Sequence, residues 1–304
     1  MTTQRLRRRD VYPGSLVDGR PVANGVMGRW VRRAQRLLVS SGEREEAELE
    51  RLIATQPGAS RPNVLAVISP KGGVGKTTLS FLAGSVVASR LAARVIVVDA
   101  NPDYGTLAAL APDALRCERT LVDLLDELDQ VPTATHLNPY LSRLASGVHL
   151  LAGPGDREAM AALSPERYGE LVVFLSTFYD LVVLDCGTGV GGPLARFAVE
   201  RADQVAIVST PEWVTSNVVL AALDELLHER MALVLNMSHL RPGKQTRELE
   251  ERFRGERLRS PVVVPYDGQL RAMLDSGTYS LEALERPTRL AIKRVGLVVA
   301  ERLV

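Results

Sequence analysis

No stretch of this 304-residue chain restricts its fold as much as SPKGGVGKTTLS, Ser69 to Ser80. It follows VLAVIS (64–69), a continuous apolar run of strand length, and leads into a helical pattern over about residues 76–90. Gly72, Gly73 and Gly75 allow backbone N–H groups to turn inward on an anion with no Cβ in the way. Val74 and Thr78 complete the cradle, and the start of the helix adds its dipole. Lys76 places a point charge where the β- and γ-phosphates of a nucleotide would lie, and the Thr77 hydroxyl suits Mg²⁺. Such a loop works only between a strand and a helix, so the chain is expected to be an α/β protein.

The remaining sequence keeps that rhythm. Apolar runs at VIVVD (95–99), VHLLAG (148–153), LVVLD (181–185), VAIVS (205–209), ALVLN (232–236) and PVVVP (261–265) read as strands. Helical patterns near 119–128, 164–179, 215–228, 245–254 and 287–302 separate them. Strands that are apolar throughout belong in a mostly parallel, twisted sheet covered by helices on both faces. The expected fold is therefore that of a P-loop NTPase over residues 62–304.

Residues 1–61 read differently. Residues 1–38 carry nine arginines against Asp10 and Asp18, a charge of +7 that leaves −6 for the remainder of a chain whose net charge is +1. Val26, Met27, Trp30, Val31, Ala34, Leu37 and Leu38 recur at helical spacing, with Arg29, Arg32, Arg33 and Arg36 on the other face. A Glu-rich helix from Glu43 to Ile53 and the linker TQPGASRP (55–62) follow. Three partners suit the basic helix: the protein body or a partner subunit, an anionic membrane, or DNA phosphates bound without sequence preference. A second basic run, Arg241 to Arg259, is interleaved with glutamates and reads as a salt-bridged helix face.

Cys117 and Cys186 are the only cysteines, which fits a reduced compartment and argues against a disulfide scaffold. The four histidines have no ligand spacing, and no apolar run reaches the roughly 18–20 residues needed to span a bilayer. The expected location is the cytoplasm, with peripheral contact to membrane or nucleoid through the basic helix.

A second lysine, Lys71, precedes the paired glycines, and KGGVGKTT resembles the deviant phosphate loop of the MinD/ParA ATPases, a likeness extending from about residue 62 to the C-terminus. That resemblance implies ATP and Mg²⁺ as cofactors and an ATP-dependent homodimer. Lys71 would reach across the dimer to the partner's phosphates, comparable in its physics to an arginine finger. LVVLDCGTG (181–189) resembles the family's second acidic motif, with Asp185 holding Mg²⁺ through water and Gly187 offering its N–H to the γ-phosphate. Asn236 and the P-x-D turn of Pro265 and Asp267 stand where the family holds adenine. DANPDYGTL, DCGTG and VPYD, with Trp30, Arg32 and Arg33, look most like the MinD-like ATPases associated with type VII secretion. The resemblance implies a protein partner within a secretion or positioning system.

VVDANPDYG (97–105) departs from the family pattern D-x-D-P, because Asn101 stands where the second aspartate orients or activates water. A neutral amide positions water but cannot accept its proton. Phosphoryl transfer rests mainly on positioning and charge stabilisation, so slow hydrolysis is expected, with Asp99 or Asp103 able to contribute. Three classes of function remain open: a dimerising positioning or assembly switch, a metabolic ATP-dependent enzyme on the same scaffold, and a nucleotide-binding scaffold with little hydrolysis. A partition-type ATPase that binds DNA is a variant of the first.

Overall fold

The structure is a computed structural model. It describes residues 42–101, 105–189, 191–223, 226, 228–238, 248, 251–253, 258–301 and 303. The basic helix expected over Val26–Val39, Asp103 of the acidic turn, and more than half of the helix expected near 245–254 lie outside them. The chain forms two compact units, Met1–Glu45 and Glu46–Val304.

The larger unit is built on one eight-stranded sheet. In chain order its strands are β1 (Asn63–Ser69), β2 (Val95–Ala100), β3 (Ser142–Arg143), β4 (Val148–Leu151), β5 (Leu181–Thr188), β6 (Gln204–Ser209), β7 (Met231–Ser238) and β8 (Leu258–Pro265). Their order across the sheet is β3-β4-β2-β5-β1-β6-β7-β8, and every pairing is parallel except β3 with β4. The apolar runs read as strands are all strands, and β1, β2 and β6 are buried at every position. Two-sided burial is why these segments show no alternation.

Helices cover both faces. Successive residues of a strand feed opposite layers, so Val64, Ala66 and Ile68 join one core while Leu65 and Val67 join the other. The first layer is closed by α3 (Leu121–Asp126), α5 (Pro165–Ser176), α6 (Pro193–Arg201) and α7 (Trp213–Leu223). The second contains α2 (Lys76–Leu91) and α9 (Arg286–Ala300). The short α4 (Arg157–Ala161) and α8 (Gly268–Ser276) complete the set, after a first helix, α1, over 42–54. Helix α9 lies so close on α2 that a Cβ at Gly296 would stand 2.3 Å from Val86 Cγ1.

Several details went beyond the periodicity. Helix α3 starts with a capping box, Thr120 accepting from the Asp123 N–H while Asp123 accepts from Thr120. Besides α3, the described part of the segment between β2 and β4 carries 3₁₀ turns at Leu107–Leu110, Asp113–Leu115, Leu128–Gln130 and Ala134–Tyr140. Within the larger unit, Leu49 and Ile53 of α1 are buried in the α2/α9 core. Beside them Lys293, 1% exposed at its side chain, contacts Glu46 at 2.6 Å and also Glu50. Arg289 pairs with Glu46, and Arg90 of α2 with Glu50 at 2.9 Å. A cluster of cations and carboxylates thus fixes α1 to the C-terminal helix and to α2.

Candidate nucleotide site

The sheet order lines up the chemistry along the carboxyl ends of its strands, where open α/β sheets bind ligands. Running across β2, β5, β1, β6, β7 and β8, the strand ends present Asp99, Asp185, the glycine loop, Thr210, Asn236 and Pro265. The chain leaves central β1 toward β2 on one side and returns through β5 to β6 on the other, which opens a crevice at the loop.

The loop takes the shape that its glycines allow. Gly73 has φ 75° and Gly75 φ 88°, both left-handed. A Cβ on Gly75 would also stand 2.3 Å from Asn236 Nδ2. The Ser69 hydroxyl donates to the Lys71 carbonyl at 2.9 Å, and the Gly189 N–H donates to the Ser69 carbonyl at 3.0 Å. On the far side, Asn236 Nδ2 donates to the Val74 carbonyl at 2.8 Å. The loop is therefore tied to β5 on one flank and to β7 on the other.

The two lysines have opposite settings. Lys76, the first residue of α2, is 9% exposed, and burial lowers its pKa while Asp185 opposes that shift. Lys71 is 45% exposed at its side chain and reaches Glu212 at 3.1 Å and the Thr215 hydroxyl at 3.0 Å, just beyond β6. Thr78 is half-buried on the first turn of α2.

Two carboxylates face each other across neighbouring strands, since Asp99 and Asp185 are register partners of β2 and β5. Burial pushes Asp185 up to about 7, against hydrogen bonds from Thr77 and Ser80, the latter at 3.3 Å. Burial pushes Asp99 up to about 6, against N–H donors from Asn101, Leu107 and Gly153. The Asn101 and Leu107 bonds are 3.1 and 3.2 Å long. These are the contacts of a turn anchor. Asn101 follows β2 at the mouth of the crevice and is half-buried. Gly187 is buried in β5, two residues beyond Asp185.

A nucleotide with its metal fits this arrangement. Two nearly buried carboxylates share the neighbourhood of a single buried lysine, so an added divalent cation would offset their repulsion. Thr77 and Asp185 carry hard oxygen atoms of the kind that Mg²⁺ takes. The residues expected at the base end up on adjoining strands, with Ser238 of β7 opposite Pro265 of β8. Asp267 caps α8 through the Gln269 N–H at 2.8 Å and receives the Glu285 N–H at 2.9 Å. Ser80, Thr106, Glu212 and Thr215 join the site although the sequence did not single them out. Ser80 carries a sequence signal of its own, since it stands one helical turn after Lys76 and so on the same helix face.

Sheet, switch-point crevice and glycine loop define a P-loop nucleotide-binding protein. The family profile matching residues 62–229, more than half of the chain, is described as an AAA domain. Among curated proteins, the ESX-1 secretion-associated protein EspI of Mycobacterium tuberculosis is 29% identical over 259 residues, 80% of this chain and 37% of that protein. The chain thus spans little more than a third of that relative's length. Among solved structures, a ParA family ATPase from Chlorobium tepidum superposes with a TM-score of 0.66 at 20% identity, covering 77% of this chain and 98% of the other. The septum site-determining protein MinD of Pyrococcus horikoshii, complexed with Mg-ADP, gives 0.59 at 20% identity over 77% and 94%. The chain belongs to the MinD/ParA family of P-loop ATPases. No helix among the described residues is long and apolar enough to cross a membrane.

Proposed function

We propose that this chain is an ATP-dependent dimerising switch that hydrolyses ATP slowly and positions or assembles a secretion or membrane complex. The observation that carries the reading is the contrast between the two loop lysines. Lys76 is buried at the head of α2, where it serves its own nucleotide. Lys71 points outward, half-exposed, and among the described residues its ammonium is held by rim groups of α7 and its approach. An exposed cation beside a phosphate cradle is of most use to a second molecule's phosphates. The exposed Trp213 and Val214 flank the same rim.

Mg²⁺, held by Thr77 and Asp185, would supply charge neutralisation on the phosphates. The chain's own part is to cradle them with the N–H groups of Gly72, Gly73, Val74 and Gly75, to hold Lys76 dry, and to place Asn236, Pro265 and Asp267 toward the base. Gly187 is assigned to the γ-phosphate. The likeness to a secretion-associated protein supports a secretion partner, and the basic arm supplies a contact for protein, anionic lipid or DNA. ATP turnover measured with separate additions of anionic liposomes and duplex DNA distinguishes these partners.

The Lys71→Ala variant is expected to bind ATP within about 2-fold of wild type, because its lysine lies outside its own cradle, and to stay monomeric with ATP. Light scattering with and without nucleotide checks this, and normal ATP-dependent dimers in the variant would sink the trans-lysine reading. Hydrolysis is expected to be limited at Asn101. Asn101→Asp should raise single-turnover hydrolysis by about 100-fold, the low end for a placed general base. An unchanged rate would remove Asn101 from the reaction.

A further inference from the structure

Thr106 stands at an N-cap and does not act as one. It precedes the 3₁₀ turn Leu107–Leu110, yet its hydroxyl caps no N–H of that turn. Threonine at such a position ordinarily spends its oxygen on the second or third N–H of the helix. Here the hydroxyl lies 3.4 Å from the Thr77 hydroxyl, across from the phosphate loop. Thr77 in turn is hydrogen-bonded to Asp185.

The segment bearing Thr106 is pinned on both sides. The Leu107 N–H is bound to Asp99 Oδ2, and Leu107 itself is fully buried with Leu110 in the α2/α9 core. Gly105 lies so close to Asp99 that a Cβ there would come within 2.5 Å of Oδ2. The buried Asp99 carboxylate therefore sets the height of this turn over the loop, and the turn leaves Thr106 exposed toward Thr77.

We propose that Thr106 supplies a second hydroxyl at the Mg²⁺ position, so that the turn after β2 is held by the metal as well as by Asp99. This rests on the reading that Thr77 and Asp185 hold Mg²⁺. Oxygens on adjacent corners of an octahedron with about 2.0–2.1 Å bonds stand roughly 2.9 Å apart, so the pair needs to close by only about 0.5 Å. Thr106 is a positioning residue: it links metal occupancy to the segment that carries Asn101.

The test is the Mg²⁺ dependence of nucleotide binding by the full chain, read by fluorescence of N-methylanthraniloyl-ADP during MgCl₂ titration and again in excess EDTA. Thr106→Val keeps the volume and removes the hydroxyl. It should raise the Mg²⁺ concentration at half-effect by about 10-fold, the lower range for lost support of a metal site, and leave affinity in EDTA unchanged. Thr106→Ser should restore the midpoint to within about 2-fold of wild type. A wild-type midpoint in the valine variant overturns the proposal. So does equal weakening with and without Mg²⁺, which would place the hydroxyl on the nucleotide, or a serine variant as weak as valine. Nucleotide binding by wild type that ignores Mg²⁺ would overturn both this inference and the metal reading beneath it, whereas a response that only the variants alter separates the two.

Discussion

Lys76→Ala should abolish measurable ATP binding, weakening it by at least about 100-fold in a fluorescent-nucleotide titration. Lys76 is almost fully removed from water at the head of α2, next to Asp185. A charge held dry makes charge-assisted hydrogen bonds to phosphate that are worth far more than at a surface, and truncating one partner of such a pair costs about 2–5 kcal/mol. The loss is compounded on the protein side. Without the lysine, Asp185 loses its buried cation while Asp99 remains its neighbour across the strands, and a trianionic phosphate tail would meet that carboxylate unscreened. Circular dichroism should show a folded chain, because the cores on either side of the sheet do not include this side chain. Binding within about 5-fold of wild type would show that the loop does not hold the nucleotide.

Lys293→Met should lower stability by about 3 kcal/mol, equivalent to a fall of roughly 5 °C in melting temperature for a chain of this size. The lysine is fully buried at the junction of α1 and α9 and is the group that Glu46 and Glu50 share. Methionine fills the space but leaves two carboxylates with one cation fewer. The estimate sits at the low end of the range for breaking a buried pair because Arg289 and Arg90 stay in place. The cluster also sets a pH limit. Hydrogen bonding from Arg289, aided by Lys293, holds the Glu46 carboxyl down to about 2. A carboxyl with a depressed folded pKa stabilises fully above its ordinary value near 4.5 and loses that contribution as pH falls toward 2. Thermal melts at pH 7 and pH 3 check both parts, and a loss below about 1 kcal/mol at pH 7 would mean the ion cluster is dispensable.

The loop, the strands and the sheet class were legible because each carries a dense local signal. Glycine and lysine in the 72–77 stretch admit few other geometries, and continuous apolar runs mean burial on two sides. The sequence was poorer between β2 and β4, where Ala134–Tyr140 and its neighbours form 3₁₀ turns too short to establish a period. Helix α8 escaped notice for a similar reason, being nine residues whose start is marked only by the Asp267 cap. Asp99 shows a different limit. Its acidity and position suggested chemistry, but its partners are backbone N–H groups from residues 101, 107 and 153, which no side-chain pattern announces. Glu212 and Thr215 were hidden because they meet Lys71 only through the neighbouring strands β1 and β6.

The sheet's two borders bear on how copies of this chain can meet. One is closed by β3, a two-residue strand running against its neighbour, and the other by β8, in which Pro261 and Pro265 lack the N–H that pairing demands. Short rims and proline rims are the usual means by which proteins refuse strand-to-strand growth into fibres. Lateral extension of the sheet between copies of this chain is thereby disfavoured, which leaves the surface above the strand ends as the face for the proposed nucleotide-dependent dimer.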